Sequence, residues 1–338
     1  MDSALTRDKL KIVNINHSSP WRAADCMGVT KMSDSVYICG GFSPNRSNEV
    51  WKTGNFKEWR FINRAQWEAR SSHALICFKN NLLVLGGTID GKNHLNDIHQ
   101  SSDGSSWRPL LKNAPWEPRM AFGCLVHNGL LYVFGGVGES KHFNDVWVSE
   151  DGKRWKCVKE HADWGPRGMF GSVIFNNKIW LIGGGTYDSS YVFNCKENYN
   201  DSWSSSDGIE WEQVNPNCAF SPRRFHSAAV FNDYMVIAFG FELDPALFGD
   251  NLRNGVKLNS LNRIYYSRKK GRKFGNLNDV WFSKNGNQWD RVQVDIEPRH
   301  GSHMIDFANK LYFFGGFGQD FYNDVYSLSI SNEKHYEL

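Results

Sequence analysis

One phrase returns along this chain with fixed internal spacing. Asn96-Asp97, Asn144-Asp145, Asn200-Asp201 and Asn278-Asp279 are each followed by a tryptophan ten residues after the aspartate, at Trp107, Trp155, Trp211 and Trp289, and Asn48-Glu49 keeps the interval to Trp59. Self-similarity at about fifty residues belongs to propellers and solenoids, in which one supersecondary unit is repeated, and not to a single irregular core. An arginine also stands sixteen residues before a diglycine: Arg70 before Gly86-Gly87, Arg119 before Gly135-Gly136, Arg167 before Gly183-Gly184 and Arg299 before Gly315-Gly316. Arg22 precedes Gly40-Gly41 by eighteen.

Between arginine and diglycine lie two short apolar runs split by a polar turn, such as Gly123 to His127 and Leu130 to Phe134, which read as a hairpin. A third strand follows at Asp145 to Ser149, Asp151-Gly152 turns the chain, and Trp155 to Val158 gives a fourth. One unit is therefore a four-stranded antiparallel meander, the blade of a propeller. Diglycine slots at 40, 86, 135, 183, 239 and 315 predict six blades in one domain spanning 1–338, at about 22–62, 70–110, 119–158, 167–214, 223–294 and 299–331. The last blade has Asn323-Asp324 and a third strand at Val325 to Ile330, but Lys334 stands where the tryptophan is due. The apolar alternation at 9–14 supplies the missing strand, so the N-terminal segment is expected to close the ring and remove its open edges.

These residues resemble the Kelch repeat family across essentially the whole chain: the diglycine ending strand two, the aromatic beyond the Asn-Asp, and the Pro-Arg before strand one. The resemblance implies an all-β, six-bladed Kelch β-propeller. The Asp-Gly-x-x-Trp variant is similar to stand-alone and galactose-oxidase-like Kelch propellers.

At 338 residues, 41% hydrophobic and 22% charged, the composition suits a folded domain with a large core. No run approaches the roughly 20 apolar residues of a membrane span, and the first residues lack the apolar stretch of a signal peptide. With an odd count of seven cysteines, three of them in predicted strands, reduced thiols and a cytoplasmic location are expected. The net charge of +3 is concentrated: Arg263, Arg268, Lys269, Lys270, Arg272 and Lys273 sit in one acid-free stretch, and without these six the remainder carries about −3. That stretch, with Tyr265 and Tyr266, is the one hint of nucleic-acid binding, but a solvated insertion is the preferred reading, because one loop offers few phosphate contacts and the rest of the chain is slightly acidic.

Propellers bind ligands at the mouth of the central channel. Arg22, Arg70, Arg119, Arg167, Arg223 and Arg299 precede strand one and are expected to ring that mouth, where guanidinium groups grip a carboxylate or phosphate. Trp67, Trp116, Trp164 and Phe220, three residues earlier, would offer flat apolar faces. Both sets have a structural alternative, arginine pairing with the Asp of Asn-Asp and aromatics wedged between blades. Three residues after the arginine the slot varies: His73, Phe122, Phe170, His226 and Ser302, with His300 and His303 flanking the last. His73 and His226 are candidates for proton transfer.

Two long connections interrupt the repeat, Gly185 to Tyr199 with Tyr187, and Phe241 to Leu277 with Glu242 and Asp244 as available carboxylates. In Kelch propellers such connections share the face of the mouth, which implies a lid. No metal or cofactor is expected, because no compact ligand motif is present. The resulting expectation is an enzyme of isomerase, epimerase or mutarotase type acting on a carboxylated substrate, resembling in architecture the six-bladed Kelch N-acetylneuraminate epimerases. The alternative is a non-catalytic Kelch module that holds an acidic peptide.

Overall fold

The computed structural model describes residues 10–187, 195–242 and 275–330. Asp244 and the basic stretch 263–274 lie outside the described residues, and Tyr187 is described in its backbone only.

Among the described residues there are six four-stranded antiparallel sheets. Their innermost strands are Gly28–Met32, Ala74–Phe78, Gly123–His127, Gly171–Phe175, Ser227–Phe231 and His303–Phe307. Each innermost strand contacts the next, and the last contacts the first, so the sheets close a ring about a central axis. The outer strand of the final sheet is Leu10–Asn16, which pairs antiparallel with Val325–Ile330 through Leu10 opposite Ile330 and Ile12 opposite Leu328. The N-terminal segment thus caps the C-terminal sheet, as its alternating pattern predicts.

The core is divided among the interfaces between neighbouring sheets. Between the third and fourth sheets, Tyr132, Phe134 and Val146 pack against Ile179, Leu181 and Trp211; between the sixth and first, Tyr312 and Phe314 pack against Trp21, Val36, Ile38 and Phe56. Alternation along each strand sends one face to each neighbour, so central strands such as Lys310–Phe314 are buried on both faces.

The repeated phrase is accounted for residue by residue. The tryptophan that follows each Asp-Gly or Asn-Gly turn donates its indole N–H to the glycine carbonyl three residues earlier, at 2.9 Å for Trp107, 3.1 Å for Trp155, 3.0 Å for Trp211 and 2.9 Å for Trp289. The asparagine side chain clamps the incoming connection: Asn96 Nδ2 donates to the Ala114 and Trp116 carbonyls, Asn144 to Ala162 and Trp164, and Asn200 to Cys218 and Phe220. Constant spacing follows because every partner lies within the same blade and its outgoing connection.

Candidate functional site

The five arginines that keep the sixteen-residue spacing are consumed by the scaffold. Arg70, Arg119, Arg167, Arg223 and Arg299 are all 2% exposed or less. Each points an Nη at the aspartate of its own blade's Asn-Asp, at 2.6 Å to Asp97, 2.7 Å to Asp145, and 2.6 Å to Asp201, Asp279 and Asp324. The Nε of each donates to the carbonyl two residues earlier, and Nη1 to the carbonyl sixteen residues later, as in Arg119 to Glu117 and Gly135. Burial alone would raise the Asp97 carboxyl, yet hydrogen bonds from Arg70 and His99 bring it down to about 2. The expected ring of ligand-gripping guanidiniums is therefore corrected: these side chains rivet strand one to strands two and three.

Arg22 is not in that register. Ala24 occupies the slot in the first blade, since its carbonyl receives the Gly316 amide just as the Arg119 carbonyl receives that of Gly87. Arg22 is exposed and donates to the Ser43 carbonyl. The partner changes with it: Glu49, standing for aspartate, pairs with Arg64 at 3.0 Å.

The aromatics expected to offer binding faces are also internal. Trp67, Trp116, Trp164 and Phe220 are at most 2% exposed. They meet Trp107, Trp155, Trp211 and Trp289 edge to face, with ring centroids 5.3 to 6.1 Å apart. The varied slot three residues after the arginine is a wedge between blades. A Cβ on Gly28 or Gly40 would meet His73, one on Gly86 Phe122, one on Gly135 Phe170, and one on Gly171 or Gly183 His226. His226 Nε2 accepts the Gly171 amide at 3.0 Å, and burial holds both His73 and His226 at about 3, as neutral imidazoles. They border the channel but are poor proton carriers near neutral pH. Glu242 pairs its backbone with Arg223 and Gly275 and lines a separate cavity with Asp279 and Arg291.

The axis is built two residues after the arginine slot. Cys26, Ser72, Ala121, Met169, Phe225 and Gly301 all adopt left-handed backbone, with φ between 49° and 60°. Their N–H and C=O groups join head to tail: Ser72 to Cys26, Ala121 to Ser72, Met169 to Ala121, Phe225 to Met169, Gly301 to Phe225, and Cys26 back to Gly301, each at 2.8 to 2.9 Å. This closed belt satisfies twelve backbone groups that would otherwise point into the channel. Non-glycine residues in this region are strained, and such strain tends to collect at functional sites.

Above the belt, one residue after the slot, stand Asp25, Ser71, Met120, Gly168, Arg224 and His300. All but Gly168 line a cavity of about 280 Å³ at the mouth, together with Cys26, Phe42, Arg46, Ser72, Thr88, Asp90, Phe225 and Phe241. Arg46 reaches in from the short hairpin Phe42–Ser43 and Asn45–Arg46. Its Nε donates to Ser71 Oγ at 3.1 Å, its guanidinium carbon lies 5.2 Å from the centre of the Phe42 ring, and its two Nη atoms have no hydrogen-bond partner among the described residues. Gly91, at φ 90°, leaves room for that fork, because a Cβ there would come within 3.3 Å of Nη2.

Asp25 is the unusual acid of the cavity. It is 8% exposed, its Oδ1 is buried without a hydrogen-bond partner, and burial pushes its carboxyl up to about 7 against the opposing pull of the Cys26 thiol and Arg46. The Cys26 thiol is itself raised, first by burial and then by Asp25, so it is no nucleophile near neutral pH. Asp90 contrasts with Asp25: the Asn93 and Lys92 amides, at 2.7 and 2.8 Å, hold it at about 2, a fixed anion. With His300 held at about 3 by burial and Arg224, the mouth carries two guanidiniums against one fixed carboxylate and one that is half ionised near neutrality. Its balance is positive.

None of these lining residues was singled out from the sequence as a site except His300, noted only as a neighbour of the Ser302 slot. In the five blades that keep the arginine, the position directly after it runs Ser, Met, Gly, Arg, His, a varied column inside a repeating frame; Asp25 joins it only once the structure places Ala24 in the first blade's slot.

Among the described residues no group of His, Cys, Asp and Glu is arranged to hold a metal ion, and no helix is long and apolar enough to cross a membrane. The six cysteines with described side chains are free thiols. No curated protein matches the chain. A solved structure titled "Structure of YjhT" superposes with a TM-score of 0.72 at 19% identity over 95% of this chain and 98% of its own, which establishes likeness of fold. The model of the KLHDC2/KLHL20/DRC7 Kelch-repeats domain matches residues 27–240, more than half of the sequence, and with the closed ring of antiparallel sheets it shows that the chain belongs to this Kelch-repeat family.

Proposed function

We propose that the chain is a small-molecule enzyme that moves a proton on an anionic, carboxylated substrate bound in the mouth cavity, in the manner of an isomerase, epimerase or mutarotase. The anion-holding role assigned from the sequence to the repeated arginines passes to Arg46, whose open fork suits a carboxylate, with Arg224, in the same lining, adding positive charge. The proton-transfer role passes to Asp25.

The observation that carries this reading is Asp25 itself. A carboxyl kept half protonated near neutral pH gives and takes a proton with almost equal ease. An isomerisation that returns every proton it borrows requires such a group and no oxidant or reductant. Burying it is otherwise a liability, since a group held far from its ordinary ionisation costs stability. Phe42, Phe225 and Phe241 give the cavity an apolar wall that strengthens the electrostatic contacts inside it.

The test is a thermal-shift screen of sialic acids, uronates, sugar phosphates and acidic peptides, with Arg46→Gln as control, followed by NMR of each hit in deuterated water. A carboxylated ligand should stabilise the unmutated protein and lose that effect in Arg46→Gln. Anomer equilibration or deuterium uptake should be accelerated by the wild type and not by Asp25→Asn, which should still bind. Stabilisation by acidic peptides alone would turn the reading to a binding module, and an Asp25→Asn protein with undiminished rate would end the assignment of the proton carrier.

A further inference from the structure

We propose that His300 selects the ligand of the mouth cavity: its Nε2 is a fixed hydrogen-bond acceptor that takes a hydroxyl or N–H carried by the bound anion. This rests on the reading of the cavity as an anion site and adds to it a second point of recognition.

The tautomer is set by a chain of three groups. Asn276 Nδ2 donates to the Phe317 carbonyl at 3.3 Å, which fixes the amide so that Oδ1 faces the imidazole. His300 Nδ1 lies 2.6 Å from that oxygen. An amide oxygen only accepts, so Nδ1 must carry the hydrogen and Nε2 is left with its lone pair. The backbone holds both partners in place, with Asn276 paired opposite Phe241 and His300 bridged to Phe317.

The ring is boxed by Phe225, Phe241 and Phe317, with centroids 5.5 to 5.6 Å away, which limits its rotation and disfavours charge. Burial and the Arg224 guanidinium keep it neutral well below pH 6. Nε2 has no hydrogen-bond partner among the described residues, in a side chain that lines the cavity. A neutral imidazole of such low basicity is a weak base but a good acceptor. It therefore discriminates by what it leaves unsatisfied: a ligand without a donor strips Nε2 of water and returns nothing. The fitting ligand is an anion with a hydroxyl or N–H donor and one apolar face.

Mandelate and phenylacetate differ by one hydroxyl and share the carboxylate and the ring, so they serve as probes for calorimetric titration of the full chain. Mandelate should bind about tenfold tighter to the wild type. In His300→Phe, which keeps an aromatic ring among its aromatic neighbours, the preference should vanish while phenylacetate binding is retained. Long-range proton–nitrogen correlation on the wild type reads the tautomer with no variant, and should show a protonated Nδ1 and a bare Nε2 at pH 7. A protonated Nε2, or a preference that survives in His300→Phe, overturns the proposal alone. If neither acid binds at millimolar concentration, the anion reading of the cavity falls and this inference falls with it.

Discussion

Arg119→Ala separates a scaffold arginine from a ligand-holding one. The side chain is fully buried and makes four directed contacts: Nε to the Glu117 carbonyl at 3.0 Å, Nη1 to the Gly135 carbonyl at 2.9 Å, and a two-pronged grip on Asp145 at 2.7 and 2.8 Å. Its guanidinium also lies 4.1 Å from the centre of the Phe143 ring. Truncation leaves Asp145 with the Trp147 indole at 2.7 Å but no cation, and abandons the part-buried Glu117 carbonyl and the buried Gly135 carbonyl. Removing one member of a buried pair costs about 3–5 kcal/mol. Asp145→Ala added to Arg119→Ala removes the stranded charge, so the double variant should be no less stable than the single, with a coupling of about 1–3 kcal/mol. The first blade shows the arginine half of that change, with Ala24 in the arginine slot and its acid, Glu49, turned to Arg64. Urea unfolding followed by tryptophan fluorescence at pH 7 measures all four corners of the cycle. A loss below about 0.5 kcal/mol for Arg119→Ala, the range of an ordinary surface change, or strict additivity in the double variant, would refute the clamp and restore Arg119 as a candidate for ligand binding.

Two further outcomes follow from the axis. Asp25 keeps its proton in the folded state up to about pH 7 and loses it near 4 when unfolded, so its cost to stability builds as pH rises between those values and is complete above them; Asp25→Asn should stabilise the protein by about 4 kcal/mol at pH 8 and hardly at all at pH 4, and equal stability at both values by denaturant titration would contradict it. Ala121 sits at φ 51° in the belt with only a methyl group to lose, so Ala121→Gly should raise stability by about 0.5–1 kcal/mol in the same assay, and a loss would contradict the strain.

The repeat was legible because its residues serve one another at short range. Trp155 and Gly152 are three residues apart and Asn144 and Ala162 eighteen, and these offsets recur in neighbouring blades, whereas arginine and aspartate stand 25 to 27 apart in three blades and 34 and 56 apart in the two whose long connections intervene. Constant offsets are what a sequence displays, so the meander, the diglycine turns and the strand that closes the ring could all be read from it. The same regularity makes parts of the frame resemble a site. Arginine and tryptophan in every blade looked like a decorated mouth, whereas a residue needed six times over is a part of the frame. Whether Arg119 faces a ligand or Asp145 depends on which way its side chain points in the segment before strand one, and spacing does not encode that.

By itself, then, the sequence determined the blade and its repetition, because both rest on hydrogen bonds and apolar alternation at short, recurring separations; closure joins the two ends of the chain, Leu10 to Ile330, and was legible because the last repeat lacks the fourth strand that the N-terminal alternation supplies. Tertiary structure alone decided the cavity. Asp25, Arg46, Asp90, Arg224 and His300 come from four different sheets and their connections, and they converge only after six left-handed residues link amide to carbonyl around the axis. In each blade but the first, the arginine two residues before the belt is buried against its aspartate, while the residue between arginine and belt, in all but Gly168, lines the cavity.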